Sequence, residues 1–398
     1  MSKLIHIAID GNEANVVNRV GSNVYAFAVL HQLWALTKNP RKFHCTILLA
    51  HAPVEDFPPE RKNWQYQVIG PARFWTQWAL PLHLFWRQGN YDVFFTTSHY
   101  APRVSAVPYV SSVMDTAYLD FPDQFRRNDL YQLTHWTHYS VKRAAKVITI
   151  SQFSKQHIHA AYHKPLADIV VAPPAVSLPE VTSPLRVKAF WRKHKIEKGS
   201  YFLYVGTLQP RKNLENLIEA FEIFSRSLAA HQLKKRVAQA KQQDVSPQLV
   251  LAGKVGWLAK GIQDRIEASP LKNRIITTGF ISDELKRALY QQARATVLVS
   301  LSEGFGIPSL ESISVGTIPI VSNTSSLPEV VGQAGLLVDP TQPHQIAQAL
   351  KKVWHLSASQ QQQFAKKAQK QLAQFTWQKT GKTILNTLMK VARHAKKT

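Results

Sequence analysis

At 398 residues, with 45% apolar residues and only 16 glycines, the chain is long enough for two globular domains with sizeable cores. No run of about 18 or more apolar residues occurs, which argues against a spanning helix, and the lone Cys45 excludes an internal disulfide and any zinc-finger spacing and fits a reducing cytoplasm. The 49 Lys and Arg against 25 Asp and Glu leave a net charge of +24, a field that attracts nucleic acid, anionic lipid headgroups or phosphorylated substrates, or that is simply a basic surface.

Only Lys3 precedes the first apolar run, and no small-residue cleavage site follows it, so no signal peptide is expected. Residues 5–9, 45–50, 93–96, 109–113 and 146–150 are short runs rich in β-branched side chains and predict strands, whereas 24–36 and 130–145 have helical spacing. Cys45 falls in one of these strands as a small buried residue. Strands alternating with helices predict a parallel sheet covered on both faces. Residues 172–179, followed by Pro184, are too proline-rich for regular structure and predict a linker.

Beyond it the pattern restarts, with strands at 201–205, 249–252, 275–278, 296–301, 318–321 and 335–338 and helices at 214–225, 283–292 and 308–315. The expected architecture is α/β, two doubly wound Rossmann-like domains at 1–178 and 179–374. Ligands of such sheets bind at the carboxyl ends of the strands, which points to the cleft between the domains. The polar stretch 229–244, with Lys234, Lys235, Arg236 and Lys241, and the tail 360–398, ending with Lys396 and Lys397, predict solvated helical surface.

Chemistry concentrates in three places. Residues 302–311, Ser-Glu-Gly-Phe-Gly-Ile-Pro-Ser-Leu-Glu, follow an apolar strand and open a helix. Pro308 suits the first helical position. Gly304 and Gly306 let backbone approach a ligand, and the free amides of a helix start suit a phosphate or sugar oxygen. Glu303 and Glu311 at one strand–helix junction can each accept hydroxyl hydrogen bonds from a polyol. The second place is Gly206-Thr207-Leu208-Gln209-Pro210-Arg211-Lys212-Asn213. There two cations stand at a helix start, against the dipole, unless an anion is bound. The third is the loop containing Gly21, with Asp10 and Asp115 ending strands of the same domain. No Asp-x-Asp pair is placed to hold a divalent metal, so a metal-independent reaction is expected.

Together these places resemble the retaining glycosyltransferases of family 4, which have the GT-B fold, and especially their bacterial mannosyltransferase branch. The resemblance extends through residues 251–257, 278–282, 326–330 and 337–340. It implies that Glu303 contacts hydroxyls of the donor sugar and Glu311 the ribose of the nucleotide. Backbone around Gly304, Phe305, Gly306 and Ile307 would touch sugar and diphosphate, with Gly206, Thr207 and Leu310 also in the donor site. Lys212 and Arg211 would neutralise the leaving diphosphate. Phe280 and Ile281 would lie against the base, partly by main-chain contacts, and Gly21 would approach the diphosphate. The helix within 375–398 would pack back on the first domain. Glu303, Asp115, Lys212 and Arg211 are the residues implied to carry the chemistry. The implied donor is a nucleotide-diphosphate sugar, GDP-mannose first and a UDP-sugar second, with no cofactor and no protein nucleophile expected.

Two departures stand out. Thr207 follows Gly206 where many relatives have Arg, a charge that Arg211 could supply. Met114 precedes Asp115 where relatives often have His near the transferred sugar. An alternative is therefore a non-catalytic nucleotide-sugar or polyanion-binding protein on the same fold. The implied acceptor is a glycan or lipid-linked glycan of an envelope polysaccharide or glycolipid. The aromatic stretch 74–86 fits either a membrane interface or an ordinary packed helix. With the first reading the expected location is cytoplasmic and peripheral, on an anionic inner membrane face. A nucleic-acid partner rests on charge alone.

Overall fold

The computed structural model describes residues 4–238 and 246–394; the expectations for Lys241, Lys396, Lys397 and the side chains of Lys234, Lys235 and Arg236 lie outside the described residues. The chain divides into two compact units, Met1–Pro174 with Phe375–Thr398, and Ala175–Gln374.

The first unit holds strands β1 (Ile5–Asp10), β2 (Phe43–Leu49), β3 (Trp64–Val68), β4 (Val93–Thr96), β5 (Tyr109–Ser112), β6 (Lys146–Thr149) and β7 (Ile169–Val171). Its helices are α1 (Ser22–Leu36), α2 (Ala79–Trp86), α3 (Ala117–Asp120), α4 (Arg127–Arg143) and α5 (Gln152–Tyr162). The second unit holds β8 (Tyr201–Val205), β9 (Gln248–Ala252), β10 (Ile275–Gly279), β11 (Ala295–Leu298), β12 (Pro319–Ser322) and β13 (Leu336–Val338). Its helices are α6 (Pro184–His194), α7 (Leu214–Ala238), α8 (Lys260–Glu267), α9 (Asp283–Gln292), α10 (Ile307–Ser314), α11 (Leu327–Val331), α12 (Pro343–Trp354) and α13 (Ala358–Leu372). The final helix, α14 (Trp377–His394), returns to the first unit and packs on α1.

Both sheets are wholly parallel, ordered β3-β2-β1-β4-β5-β6-β7 and β10-β9-β8-β11-β12-β13. Each reverses direction of growth once, between β1 and β4 and between β8 and β11. Those are the switch points where a doubly wound sheet leaves room for a ligand beyond its strand ends. Burial on both faces explains the unbroken apolar runs. In β8, Phe202 and Tyr204 join the cluster of Leu249, Leu251, Phe221 and Val297, while Tyr201 and Leu203 join that of Val250, Trp191 and Leu289.

Four sequence expectations change. Pro184 does not extend the linker but starts α6, where its missing donor costs nothing and its fixed φ suits the first turn. The helix expected from Pro308 begins one residue earlier, at Ile307. The strand expected over 296–301 ends at Leu298. Beyond it the carbonyls of Val299 and Ser300 accept from Asn213 Nδ2 (3.0 Å) and Ser322 Oγ (2.6 Å), so side chains replace the neighbouring strand. Two strands go unpredicted: β3, at the sheet edge with alternating polar residues, and β7, only three residues long.

In α14, Thr380, Gly381, Ile384, Leu388 and Val391 form the buried stripe. A Cβ at Gly381 would stand 2.5 Å from Gln32 Cβ, so glycine sets the close crossing with α1. Thr380 Oγ1 donates to Pro173 O (2.5 Å) and Tyr25 OH to Ala172 O (2.8 Å), tying α14 and α1 to the end of the first unit's main segment. No helix of the described residues is long and apolar enough to cross a membrane.

Candidate functional site

The loops after β8, β9 and β10 are knitted together by their main chains. The Gly206 N–H donates to Ala252 O (2.9 Å), Leu208 N–H to Lys254 O (2.9 Å), Gly256 N–H to Leu208 O (2.8 Å) and Gly253 N–H to Gly279 O (3.0 Å). Such close approach requires glycine at one point above all. Gly253 has φ +155°, and a Cβ there would stand 1.9 Å from Gly206 O. Thr207 is exposed on this ledge, and its carbonyl accepts from the buried Tyr204 hydroxyl (2.9 Å).

Arg211 and Lys212 end a short 3-10 turn, Pro210–Lys212, just before α7. Asn213 turns the chain at φ +58°, and its amide reaches Val299 O (3.0 Å) and Pro340 O (2.6 Å), fastening the turn to the ends of β11 and β13. The Leu301 N–H donates to Arg211 O (2.9 Å), so the β8 and β11 loops are joined directly. This junction brings Lys212 Nζ to 2.6 Å from Glu303 Oε1, which also accepts from Ser300 Oγ at 2.7 Å. The Arg211 guanidinium donates to Ser302 O and stands 3.9 Å from Glu303 Oε2. The anion that reconciles two cations with a helix start is therefore already present, as the Glu303 carboxylate. Glu303 is only 8% exposed. Burial pushes its pKa up, but Lys212, Arg211 and the hydrogen bonds outweigh burial and hold it below the ordinary glutamate value.

The loop before α11 braces Glu303. Its N–H donates to Ser325 Oγ (3.1 Å), its carbonyl accepts from Ser326 Oγ (2.8 Å), and Ser325 itself sits at φ +55°. Gly306, at φ +89°, forms the N-cap of α10; a Cβ there would fall 2.3 Å from Leu327 Cδ2. One turn into α10, Glu311 is buried, with Oε1 accepting from Lys286 Nζ (2.5 Å) and Oε2 from Tyr290 OH (2.8 Å). Burial pulls the Lys286 pKa down, yet Glu311 and Asp283 outweigh it and raise it; burial keeps the Tyr290 phenol protonated and donating. Phe280 is 63% exposed with Lys254 Nζ 5.0 Å from its ring centroid, whereas the Ile281 side chain is buried with Trp191 and Leu289. Phe305 and Leu310 are buried too, so only the main chain of Phe305, Leu310 and Ile281 can face a ligand.

In the first unit, Gly21 is the exposed N-cap of α1 at φ +53°, in a conformation open to glycine. Glu13 accepts from Ser22 Oγ (2.6 Å) and from Asn23 Nδ2 (3.0 Å), holding that helix start. Asp10 ends β1, buried, accepting from Asn12 N–H (3.1 Å), Asn12 Nδ2 (3.0 Å) and Thr96 Oγ1 (3.2 Å); burial pushes its pKa up to about 6. Asp115 does not end a strand. It lies three residues past Ser112, in the loop, where its Oδ1 accepts the Ala117 N–H (3.3 Å) at the start of α3. The buried Met114 donates its N–H to His99 Nε2 (3.1 Å). An imidazole from the loop after β4 thus stands against the position that lacks one. Burial lowers the His99 pKa, and with Nε2 accepting, the neutral ring's proton belongs on Nδ1, which is buried without a partner.

The second-unit residues singled out in the sequence thus gather at the β8/β11 switch point and the adjoining ledge, while Gly21, Asp10 and Asp115 belong to the first unit. Ser300, Ser325, Lys286, Tyr290 and His99 were not anticipated. Lys286 and Tyr290 lie 25 and 21 residues from Glu311 in sequence, on a helix whose local pattern is ordinary.

Residues 187–371 match the family described as glycosyl transferases group 1. The O-antigen chain mannosyltransferase B of Escherichia coli is 29% identical over 277 residues, covering 69% of this chain and 66% of that protein, just under two thirds of its length. The O-antigen chain mannosyltransferase RfbU of Salmonella typhimurium is 26% identical over 277 residues, 70% of this chain and 69% of its own. Among solved structures, Anabaena Alr3699/HepE in complex with UDP and glucose superposes with a TM-score of 0.67 at 17% identity, over 97% of this chain and 99% of that one. Residues 187–371 therefore form a glycosyl transferases group 1 domain, the chain as a whole shares the fold of HepE, and O-antigen mannosyltransferases are among its relatives.

Proposed function

We propose that the protein transfers mannose from GDP-mannose, with retention and without a metal, to a glycan or lipid-linked acceptor of an envelope polysaccharide or glycolipid. The observation that carries this reading is the buried Glu303–Lys212–Arg211 cluster at the end of β8 and β11, with Glu311 on the same helix start. Glu303 and Glu311 each retain lone pairs beyond their present partners and would accept hydroxyls of the sugar and the ribose, respectively. Lys212 and Arg211 would share their charge with the leaving diphosphate, stabilising the negative charge that grows as the glycosidic bond breaks. The amides at the start of α10 favour the same anion, and Phe280 offers an exposed face beside the base. Attack from the face the diphosphate leaves would let a phosphate oxygen take the acceptor's proton, so no protein nucleophile is required. Mannose is preferred because both reported relatives are named mannosyltransferases.

The test is a thermal-shift panel of nucleoside diphosphates and their sugars, followed by transfer assays with the wild type and Glu303→Ala. GDP and GDP-mannose should raise the melting temperature, and Glu303→Ala should lower kcat by about 100-fold or more. Stabilisation by UDP-sugars alone would move the donor assignment to a UDP-sugar. Binding without turnover, across donors and glycan acceptors, would favour the non-catalytic reading.

A further inference from the structure

Three loops of the first unit leave the sheet in matching register at its switch point. Asp10, Thr96 and Ser111 are partners across β1, β4 and β5. Three residues beyond each stand Glu13, His99 and Met114, with Asp115 next to Met114. Parallel strands therefore deliver two carboxylates and an imidazole to the same end of the sheet.

The main chain there is held from two sides. Met114 N–H donates to His99 Nε2 (3.1 Å), and Met114 O accepts from Ser154 Oγ (3.2 Å), a hydroxyl that is itself bonded to Ser151 before α5. With Nε2 accepting, the remaining N–H of His99 lies on Nδ1, a buried atom without a protein partner. An unpaired buried donor costs about 1–3 kcal/mol, so this one calls for a partner outside the chain. The ring as a whole is partly exposed, and a small shift of its loop brings Nδ1 to the surface. The charges acting on the ring are Asp115 and Glu13, both half-buried. Glu13 takes Ser22 and Asn23 on Oε1 and Asp115 takes the Ala117 N–H on Oδ1, which leaves Oε2 and Oδ2 with lone pairs to offer.

One donor with two anionic acceptors selects its ligand. A hydroxyl can accept from Nδ1–H and donate to a carboxylate at the same time. A phosphate or carboxylate group can only accept, and it would also meet the repulsion of two like charges. The cations that suit a diphosphate, Lys212 and Arg211, belong to the second unit. Neighbouring hydroxyls on an uncharged ring satisfy all three groups.

We propose that Glu13, His99 and Asp115 form the subsite for the acceptor's terminal sugar, a neutral ring held through adjacent hydroxyls, with His99 Nδ1 donating and Glu13 Oε2 and Asp115 Oδ2 accepting. The assignment rests on the proposed transfer to a glycan and names the class of its acceptor: a neutral sugar, not a uronic acid or a sugar phosphate.

The experiment is saturation-transfer NMR of the full-length protein, with and without GDP, against the methyl glycosides of glucose, galactose and mannose and of the matching uronic acids. At least one neutral glycoside should bind, and its acid counterpart should bind more weakly. His99→Phe, which keeps a flat ring but removes the donor, should weaken the neutral glycoside about fivefold or more. Glu13→Gln, whose amide oxygen can still accept from Ser22 and Asn23, should narrow the preference for neutral over acidic sugar, an effect that a purely structural role would not produce. Both variants should keep the wild-type melting temperature shift with GDP-mannose, which separates loss of the subsite from loss of fold. Failure of every nucleotide to shift the melting temperature, with glycoside binding still sensitive to His99→Phe, would sink the donor reading and leave the subsite standing. Absence of binding by all the glycosides, equal binding of neutral and acidic sugars, or undiminished binding by His99→Phe would overturn the proposal. So would a His99→Phe variant that loses the GDP-mannose shift and keeps the glycoside, since the ring would then serve the donor.

Discussion

Each sheet carries a buried carboxylate at its switch point, and the two are held in opposite ways. Asp10, at the end of β1, has hydrogen bonds from Asn12 and Thr96 but no cation, and burial lifts its pKa to about 6. Glu303, beyond the end of β11, is just as buried, yet Lys212 and Arg211 hold its pKa below the ordinary value. Burial alone decides neither ionisation state. What separates them is whether the neighbouring strand's loop delivers a positive charge. The second unit is built to keep a charged cluster dry, which suits polarised chemistry. The first leaves the buried Asp10 without a cation, and in the loop after β4 burial lowers the pKa of the His99 ring.

The contrast is most strongly tested at Lys212. Lys212→Met should strand the Glu303 carboxylate, lowering transfer about 100- to 1,000-fold and stability by about 3–5 kcal/mol; denaturant unfolding and donor kinetics read the two effects. Near-normal stability would mean that Arg211 alone compensates the charge. The glycines extend the comparison. Gly253→Ala should cost about 3 kcal/mol or more, because the new methyl meets Gly206 O at 1.9 Å and the φ of +155° is strained for any side chain. Gly21→Ala meets no atom within 4 Å and should cost only its backbone strain, about 1–2 kcal/mol. Comparable losses at the two sites would refute the idea that the ledge depends on close main-chain contact.

A smaller effect, with a sign that depends on pH, is expected at Asp10. Its folded pKa of about 6 lies above the ordinary 3.8, so between those values the native state binds more protons than the unfolded chain. Stability therefore falls as pH rises through that window and stays reduced above it. Asp10→Asn should match the wild type near pH 4 and exceed it by up to about 3 kcal/mol above pH 6. Glu303 has the reverse sign: its contribution is present above the ordinary glutamate pKa and is lost as pH falls through its lowered folded value. A stabilisation by Asp10→Asn that does not vary with pH would contradict the contrast between the two carboxylates.

Much of the fold was legible because burial on both faces of a parallel sheet leaves unbroken apolar runs, as in 201–205 and 93–96, which coincide with β8 and β4. Edge strand β3 was not legible, since Gln65 and Gln67 interrupt the apolar run of Trp64–Val68 and only Trp64 is buried. The segment containing Glu303 and the turn containing Arg211 and Lys212 were visible as strand–turn–helix motifs. That Lys212 would close on Glu303 itself was not visible. Nor was the pairing of Glu311 with Lys286 and Tyr290, which residues 283–292 give no local reason to expect.

The sequence by itself determined which segments become strands and helices, that the strands run parallel, and where glycines free the main chain beside charged residues. All of this follows from periodicity and backbone chemistry, which act over a few residues. Only the tertiary structure decided which strand ends are neighbours. Placing β8 beside β11 brings Lys212 within 2.6 Å of a carboxylate 91 residues away, and the ends of β4 and β5 set His99 against Met114. It also decided which half of the 74–86 aromatics enters the core, because a helix's apolar residues are shared out by what packs against it, and α2 is covered on one side.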